Sequence, residues 1–234
     1  MFFIAEMGCN WIDGGLEKAK RMIKAAKDAG CDAAKFQMYQ AYHIEQHPKS
    51  ELLKRGILTK ATMKELVDYG NSIDMTVFAT PFYPEAVDIL HELGVELFKI
   101  RHTDIKSKEL IDKVKALKKA TIISVDVKAL DFVLDVGDFK ILYCVGKYPA
   151  KREDIDLGVI MQFGLDGYSN HCPDPAILMD AVKAGAEIIE THVMLDGDDG
   201  CLEKGWSIPL SKVKEFLADG GGQEEGLNVA RDKP

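Results

Sequence analysis

The chain has 234 residues, 47% of them hydrophobic, and a formal net charge of -8. This length and apolar content suffice for one large core, so we expect a single catalytic domain of barrel size. The negative charge argues against a nucleic-acid or anionic-membrane partner, because such surfaces attract an excess of Lys and Arg.

Two further features of the composition concern the cellular compartment. Five widely spaced cysteines include no CxxC pair, which is typical of reduced thiols in a cytoplasmic protein. The apolar residues 1–5 are too few for a signal peptide and run directly into Glu6. No other apolar run is long enough to span a membrane. The sequence therefore predicts a cytoplasmic protein.

Short apolar segments alternate along the chain with segments whose apolar residues recur at helical spacing. Strands are predicted at residues 2–7, 33–37, 76–80, 97–100, 121–125, 140–145, 167–169 and 188–192. Helices are predicted at residues 16–29, 50–74, 84–93, 107–117, 152–162, 175–184 and 209–218. Strands separated by helices favour parallel pairing with right-handed crossovers. Eight strands predict an α/β fold of the (β/α)8 TIM-barrel type over residues 1–219.

An open doubly wound sheet is the alternative fold. Such a sheet usually has a glycine-rich phosphate turn after its first strand, and the segment from Glu6 to Asn10 does not match GxGxxG. The pattern therefore favours the barrel. Residues 220–234 begin with three glycines and are otherwise polar, which predicts a tail or a truncated linker.

Two predicted strands end near histidines. His171 follows the segment 167–169, and His192 ends the segment 188–192. Since the carboxyl ends of parallel strands meet at one edge, both imidazoles should lie close together, as in a metal site. The alternative for each is a structural histidine that is hydrogen-bonded within the fold.

Two lysines occupy predicted strands. Lys35 and Gln37 are two positions apart and should point to the same side, and Lys99 lies in the fourth strand. A buried lysine is unfavourable unless it meets an anion, so the pair suggests a phosphate or carboxylate ligand. A structural ion pair, or a lysine stem that reaches solvent, is the alternative.

Seven short motifs occur in a recognisable order. They are IAEMGCN at 4–10, AKFQ at 34–37, ATPF at 79–82, FKI at 98–100, YP at 148–149 with ED at 153–154, GYSNH at 167–171, and ETH at 190–192 with LD at 195–196. Over about residues 3–214, the chain resembles the catalytic barrel of the N-acetylneuraminate (sialic acid) synthase family. Members of that family condense phosphoenolpyruvate with an N-acetylated aldose.

The resemblance implies a set of site residues. Those implied to bind phosphoenolpyruvate are Lys35, Thr80, Lys99, Ser124 and Ser169. His171 and His192 match ligands of a divalent metal, Mn²⁺ or Mg²⁺, and the positions implied to face the sugar are Glu6, Gln37, Asp104 and Tyr148. Glu203 stands where the family has an aspartate and is a further candidate for sugar contact. Catalytic roles are expected for Lys35, Lys99 and Glu6, the last as the group that handles a proton.

The family usually continues into a small antifreeze-like domain that lends an arginine to the sugar site of the partner subunit, whereas this sequence ends at Pro234. We therefore expect a homodimer, or a separate protein that carries this domain, as a partner. Three function classes stay open. They are a synthase that makes a nonulosonic acid, a related 3-deoxy-sugar-acid synthase or aldolase, and a non-catalytic sugar-binding relative.

Overall fold

Eight parallel strands form the wall of a barrel in the computed structural model, which describes residues 1–132 and 137–221. They are β1 (Phe2–Glu6), β2 (Ala33–Met38), β3 (Thr76–Pro81), β4 (Leu97–Ile100), β5 (Ala120–Val125), β6 (Lys140–Cys144), β7 (Gly167–Asn170) and β8 (Ile188–Met194). Their hydrogen-bonded order is β3-β2-β1-β8-β7-β6-β5-β4, and β3 lies beside β4 across the remaining seam. The predicted TIM barrel is confirmed.

Helices follow most strands and cover the outside of the barrel. They are α1 (Gly15–Ala29), α2 (Ser50–Leu53), α3 (Lys60–Ser72), α4 (Pro84–Glu92), α5 (Lys108–Leu117), α6 (Gly158–Phe163), α7 (Ala176–Lys183) and α8 (Leu210–Phe216). Outward-facing strand residues pack on them. Phe3 of β1, for example, meets Phe216 of α8 with ring centroids 5.9 Å apart. The core therefore lies between the strands and the helices.

Two predicted helices are shorter than expected. The segment 50–74 divides into α2, a 3₁₀ turn at Lys54–Gly56, and α3. Thr59 ends the interruption because its side chain caps the backbone N–H of Thr62, so a new helix begins there. The segment 152–162 likewise begins as a 3₁₀ turn, Arg152–Asp154, before α6.

The chain between β8 and α8 contains a short strand that the sequence pattern does not predict. This strand, β9 (Ile208–Pro209), pairs with Val193 and Met194 of β8. The polar tail predicted from Gly220 onward lies outside the described residues from position 222. No helix in the described ranges has the length and apolarity needed to cross a membrane.

Strand register determines which side chains meet inside the barrel. Glu6 of β1 lies opposite Lys35 of β2 on one side and His192 of β8 on the other. Ser169 of β7 pairs in register with Glu190 of β8. Polar residues from four adjacent strands therefore converge at the carboxyl end of the barrel.

Candidate active site

A cavity of about 460 Å³ opens at the carboxyl ends of the strands. This is the end at which TIM barrels carry their chemistry, and the volume lies in the range of small-molecule sites. The side chains predicted from the sequence that line it are Glu6, Lys35, Gln37, Thr80, Lys99, Ser124, Tyr148, Ser169, His171, His192 and Glu203. Asp104 is the one predicted site residue that is not part of this lining.

Glu190 is the carboxylate that both lysines share. Its Oε1 accepts hydrogen bonds from Lys99 Nζ at 3.1 Å and from Ser169 Oγ at 2.9 Å, and its Oε2 lies 3.5 Å from Lys35 Nζ. The sequence prediction did not include Glu190 in the site. Its position two residues before His192 on β8, hence on the same strand face, was the available signal.

The two lysines are nearly inaccessible to solvent, but their electrostatic surroundings differ. Burial opposes the charge on Lys35, yet Glu190 and Glu6 outweigh it, so the pKa of Lys35 lies above the usual lysine value. For Lys99, burial prevails over the attraction of Glu190, and the positive Lys35 adds to it, so the pKa of Lys99 is lowered. The lysines also donate to hydroxyls. Lys35 Nζ bonds Thr80 Oγ1 at 3.0 Å, and Lys99 Nζ bonds Ser124 Oγ at 2.6 Å.

Glu6 is buried at the carboxyl end of β1 and forms an ion pair with Lys35. Its Oε1 accepts hydrogen bonds from Gln37 Nε2 at 2.8 Å and from the backbone N–H of Gly8 at 3.1 Å. All three partners are donors, so they fix the position of this carboxylate.

His171 directs one ring nitrogen into the cavity. The distance from its Nδ1 to the carbonyl oxygen of Val145 is 2.7 Å, so Nδ1 carries the proton and donates it. Nε2 then has a free lone pair. Burial, and the neighbouring His192, lower the pKa of His171 to about 3, so its ring is neutral at pH 7.

His192 is oriented in the same way, by a carboxylate. Its Nδ1 lies 2.9 Å from Glu203 Oε2, which leaves Nε2 unprotonated when the ring is neutral. Burial opposes protonation of this ring, but the charge of Glu203 outweighs it, so the pKa of His192 is raised. The ring centroids of His171 and His192 are 5.7 Å apart.

Asn10 holds the loop that carries Glu203. Its Oδ1 accepts the backbone N–H of Glu203 at 2.8 Å, and its Nδ2 donates to the carbonyl of Val193 and to Ser207 Oγ, both at 2.8 Å. Asn10 is fully buried. The sequence prediction gave it no role, although it ends the first motif of the resemblance.

Gly8 leaves room for the Glu203 carboxylate. Its backbone has a φ of 46°, a conformation that favours glycine, and a Cβ at this position would lie 1.8 Å from Glu203 Oε2. The glycine of the first motif therefore serves the orientation of His192 through Glu203.

Two aromatic side chains stand beside the histidines. The ring of Tyr148 lies 4.0 Å from that of His171 and 5.7 Å from that of Trp206, centroid to centroid. Tyr148 is half exposed at the mouth, where a sugar can reach it. Trp206 was not predicted from the sequence.

Asp104 contacts Arg101 instead of the cavity. Its Oδ2 accepts from Arg101 Nε at 2.5 Å and its Oδ1 from Arg101 Nη2 at 3.2 Å. Arg101 itself lines the cavity, with its guanidinium carbon 3.5 Å from the ring centroid of Phe82. A side chain in the turn after β4 has no strand period to indicate its direction, so the sequence could not separate Arg101 from Asp104.

The donors present fit a divalent metal ion. Both imidazoles line the cavity with Nδ1 beside an oxygen, so each has Nε2 left to bind a metal ion when the ring is neutral, and such outer hydrogen bonds are usual for metal-binding histidines. No cluster of three or more His, Cys, Asp or Glu side chains suited to a metal occurs in residues 1–132 and 137–221.

Comparisons with known proteins agree with this geometry. The model of the NeuB family matches residues 22–224. The N,N'-diacetyllegionaminic acid synthase of Campylobacter jejuni is 31% identical over 225 residues, which are 82% of this chain and 67% of that protein. The N-acetylneuraminate-9-phosphate synthase of Mus musculus is 30% identical and aligns with 83% of this chain and 62% of its own length. The chain thus spans about two thirds of these relatives.

Solved structures give the same grouping. The crystal structure of N-acetylneuraminic acid synthetase from Leptospira borgpetersenii, in complex with citrate, has a TM-score of 0.87 and 28% identity, covering 93% of this chain and 81% of that one. A truncated 3-deoxy-D-arabino-heptulosonate 7-phosphate synthase from Thermotoga maritima has a TM-score of 0.69 at 14% identity, covering 94% of this chain and 84% of that one. The second likeness concerns the fold alone.

Proposed function

The chain belongs to the NeuB family, and we propose that it condenses phosphoenolpyruvate with an N-acetylated aldose to give a nonulosonic acid and phosphate. The proposed acceptor resembles N-acetylmannosamine, and the reaction depends on a divalent metal ion. One observation carries this proposal. A single cavity holds two buried lysines on a shared carboxylate and two histidines whose Nδ1 atoms each contact an oxygen, of Val145 and of Glu203.

The lysine side of the cavity suits the anionic substrate. Lys35 and Lys99 offer ammonium donors for the carboxylate and phosphate of phosphoenolpyruvate, and the hydroxyls of Thr80, Ser124 and Ser169 surround them. Glu190 holds the lysines in place, so little reorganisation is needed as charge develops during the reaction. The Leptospira relative was solved with citrate, which is also a polyanion.

The histidine side suits the aldehyde. When bound to His171 and His192, a manganese or magnesium ion supplies Lewis-acid polarisation of a carbonyl oxygen. Glu203 keeps the His192 ring oriented by accepting a hydrogen bond from its Nδ1–H. Gln37 and Tyr148 line the same cavity and are available for sugar hydroxyls.

The bond changes follow from the two substrates. The vinyl carbon of phosphoenolpyruvate forms a bond to the aldehyde carbon as the C=C and C=O π bonds open. The aldehyde oxygen takes up a proton and becomes a hydroxyl, and water adds to the cationic carbon that results. The tetrahedral intermediate then loses phosphate by C–O cleavage. We assign to Glu6 the proton released by the attacking water, because its carboxylate is buried in the cavity wall and adjacent to Lys35.

The decisive experiment measures phosphate release from phosphoenolpyruvate with a panel of aldoses that includes N-acetylmannosamine and mannose. We expect release to require an aldose, to cease after chelation and to return with Mn²⁺. His192→Ala should lose activity and keep its fold, whereas His91→Ala on the exposed face of α4 should match the unaltered protein. Full activity in a metal-free preparation would contradict the proposal.

The lowered pKa of Lys99, caused by burial and by Lys35, favours a second candidate, a Schiff-base aldolase. Such an enzyme forms an imine between a lysine amine and a carbonyl substrate. Treatment with borohydride and pyruvate would then add the mass of the reduced adduct to Lys99. A protein that gains no mass under these conditions is not an aldolase of this class.

A further inference from the structure

The end of β4 brings three side chains with N–H donors to the cavity. Lys99, Arg101 and His102 fall within four consecutive positions, and all three line it. Lys35, in contrast, lies between the carboxylates of Glu6 and Glu190. A phosphate dianion needs more donors than a carboxylate does, so the β4 end is the better place for it.

His102 has no hydrogen-bond partner in the described parts of the chain. Its half-buried ring begins the 3₁₀ turn His102–Asp104 and lies 6.2 Å, centroid to centroid, from the ring of His171. An imidazole has at least one N–H in any protonation state. A donor that faces a cavity without an acceptor is suited to a ligand.

Gly146, in the segment after β6, makes room for this ring. A Cβ on Gly146 would lie 2.9 Å from His102 Nε2 and 3.3 Å from its Cδ2. The backbone of Gly146 does not have a positive φ, so its conformation does not itself require glycine. The imidazole of His102 is what favours glycine here, because a methyl group at position 146 would displace the ring.

We infer that His102 is a substrate-binding residue that donates a hydrogen bond to the phosphate of phosphoenolpyruvate from the space that Gly146 leaves open. This inference rests on the proposed function and deepens it. Lys99 supplies charge to the same phosphate, and His102 supplies a directed donor from the turn after β4. The pair of residues 102 and 146 then acts as one unit in recognition of the phosphate.

The experiment is a double-mutant cycle on ligand binding, measured by calorimetry with phosphoenolpyruvate, inorganic phosphate and pyruvate. His102→Ala should weaken phosphoenolpyruvate and inorganic phosphate binding about tenfold, since a hydrogen bond to a charged group is lost. Pyruvate, which has no phosphate, should bind as before. Gly146→Ala should also weaken phosphoenolpyruvate binding, but should cause no further loss when His102→Ala is already present.

Two controls separate binding from folding. Gly200→Ala adds a methyl group where no atom lies within 4 Å, and His91→Ala removes an exposed imidazole. Both should bind all three ligands like the unaltered protein, and every variant should keep its unfolding temperature.

Each other outcome counts against the inference. Unchanged phosphoenolpyruvate binding by His102→Ala overturns it and leaves the proposed function standing, and so does an equal loss for pyruvate. A harmless Gly146→Ala overturns the steric argument. If the unaltered protein binds no phosphoenolpyruvate, the inference and the proposed function both fail.

Discussion

Lys35 and Lys99 are both buried, but the fold shifts their pKa values in opposite directions. The fold favours the charged form of Lys35, whose pKa is raised, and disfavours that of Lys99, whose pKa is lowered. pH 7 lies below the pKa that each lysine has in the unfolded chain. Charged Lys35 therefore contributes stability, which is lost only as pH rises through its folded pKa, whereas charged Lys99 opposes folding.

The first prediction compares Lys35→Met with Lys99→Met. Lys35→Met leaves Glu6 without its cation and should cost about 3–5 kcal/mol of the free energy of unfolding. Lys99→Met should cost less, because Glu190 loses Lys99 but keeps Lys35 as a cation. Thermal and urea unfolding at pH 7 measure both, and an equal loss would contradict the assigned asymmetry. Each variant should also bind phosphoenolpyruvate at least about tenfold more weakly.

The second prediction concerns pH. The phosphate pKa near 6 leaves the charge of phosphoenolpyruvate constant above about pH 8. Its affinity should nevertheless fall as pH rises through the pKa of Lys99, which lies below the usual value of about 10.4. Lys99→Arg keeps its charge and should remove this fall. The dissociation constant measured from pH 7.5 to 10 checks it, and the same decline in both proteins would refute the assignment to Lys99.

The third prediction concerns Glu203, which orients His192. Glu203→Gln keeps an acceptor for Nδ1 but removes the negative charge, so Mn²⁺ affinity should fall roughly 10- to 100-fold. Manganese titration followed by electron paramagnetic resonance gives the constant. Glu153→Gln, which changes an exposed carboxylate away from the site, is the control. Unchanged affinity in Glu203→Gln would leave Glu203 as a candidate for direct sugar contact.

Individual site residues were predictable where a strand determines their direction. Lys35 and Gln37 share a face of β2, and both line the cavity as the period of two requires. Glu190 shares a face of β8 with His192 by the same period of two. Because glutamates are also common on protein surfaces, its position in the sequence did not mark it as a site residue. Asp104, also predicted for the site, does not line the cavity; it lies in a turn, where side-chain direction depends on tertiary contacts.

At the scale of elements, the segment after β1 decides how the histidine end is built. Its backbone turns at Gly8, which contacts Glu203, and ends at Asn10, which hydrogen-bonds the Glu203 backbone. A strand pattern predicts β1 itself. It does not predict which remote loop the following residues will hold.

The fourth prediction tests this segment with a matched pair of glycines. Gly8 and Gly15 both have positive φ, 46° and 61°, but only Gly8 has a neighbour where a Cβ would stand. Gly15→Ala should cost only the backbone strain, about 1 kcal/mol, whereas Gly8→Ala should cost clearly more and weaken Mn²⁺ binding. Urea unfolding and manganese titration compare them. Equal effects would show that the Glu203 contact is unimportant.

Helix boundaries were predicted less well than strands. The apolar spacing of residues 50–74 suggested one helix, and the spacing continues through the real interruption. Packing breaks it, because Gly56 lies where a Cβ would come within 2.3 Å of Ile12 and within 2.6 Å of the Tyr39 hydroxyl. Such a contact between distant segments is invisible in a local periodicity.

For the whole molecule, the count of eight strands sufficed to predict closure, and most of the predicted site residues line one cavity at the carboxyl end of the barrel. The sequence could not show whether backbone hydrogen bonds join every pair of neighbouring strands. Seven neighbouring strand pairs are joined by backbone ladders, and in the described strands none joins β3 to β4. Side chains connect that pair at the cavity mouth, where Arg101 from the β4 side lies over Phe82 from the β3 side.

The β3–β4 seam is the part of the barrel wall where neighbouring strands should separate most easily. Strands that share amide hydrogen bonds separate only when several bonds break together, whereas the β3–β4 line opens by displacing packed side chains. Thermal motion should therefore widen the wall first between Thr80 and Lys99, beside the proposed phosphate position. In the proposed reaction, an opening along this line would give the released phosphate an exit that leaves the histidine side undisturbed.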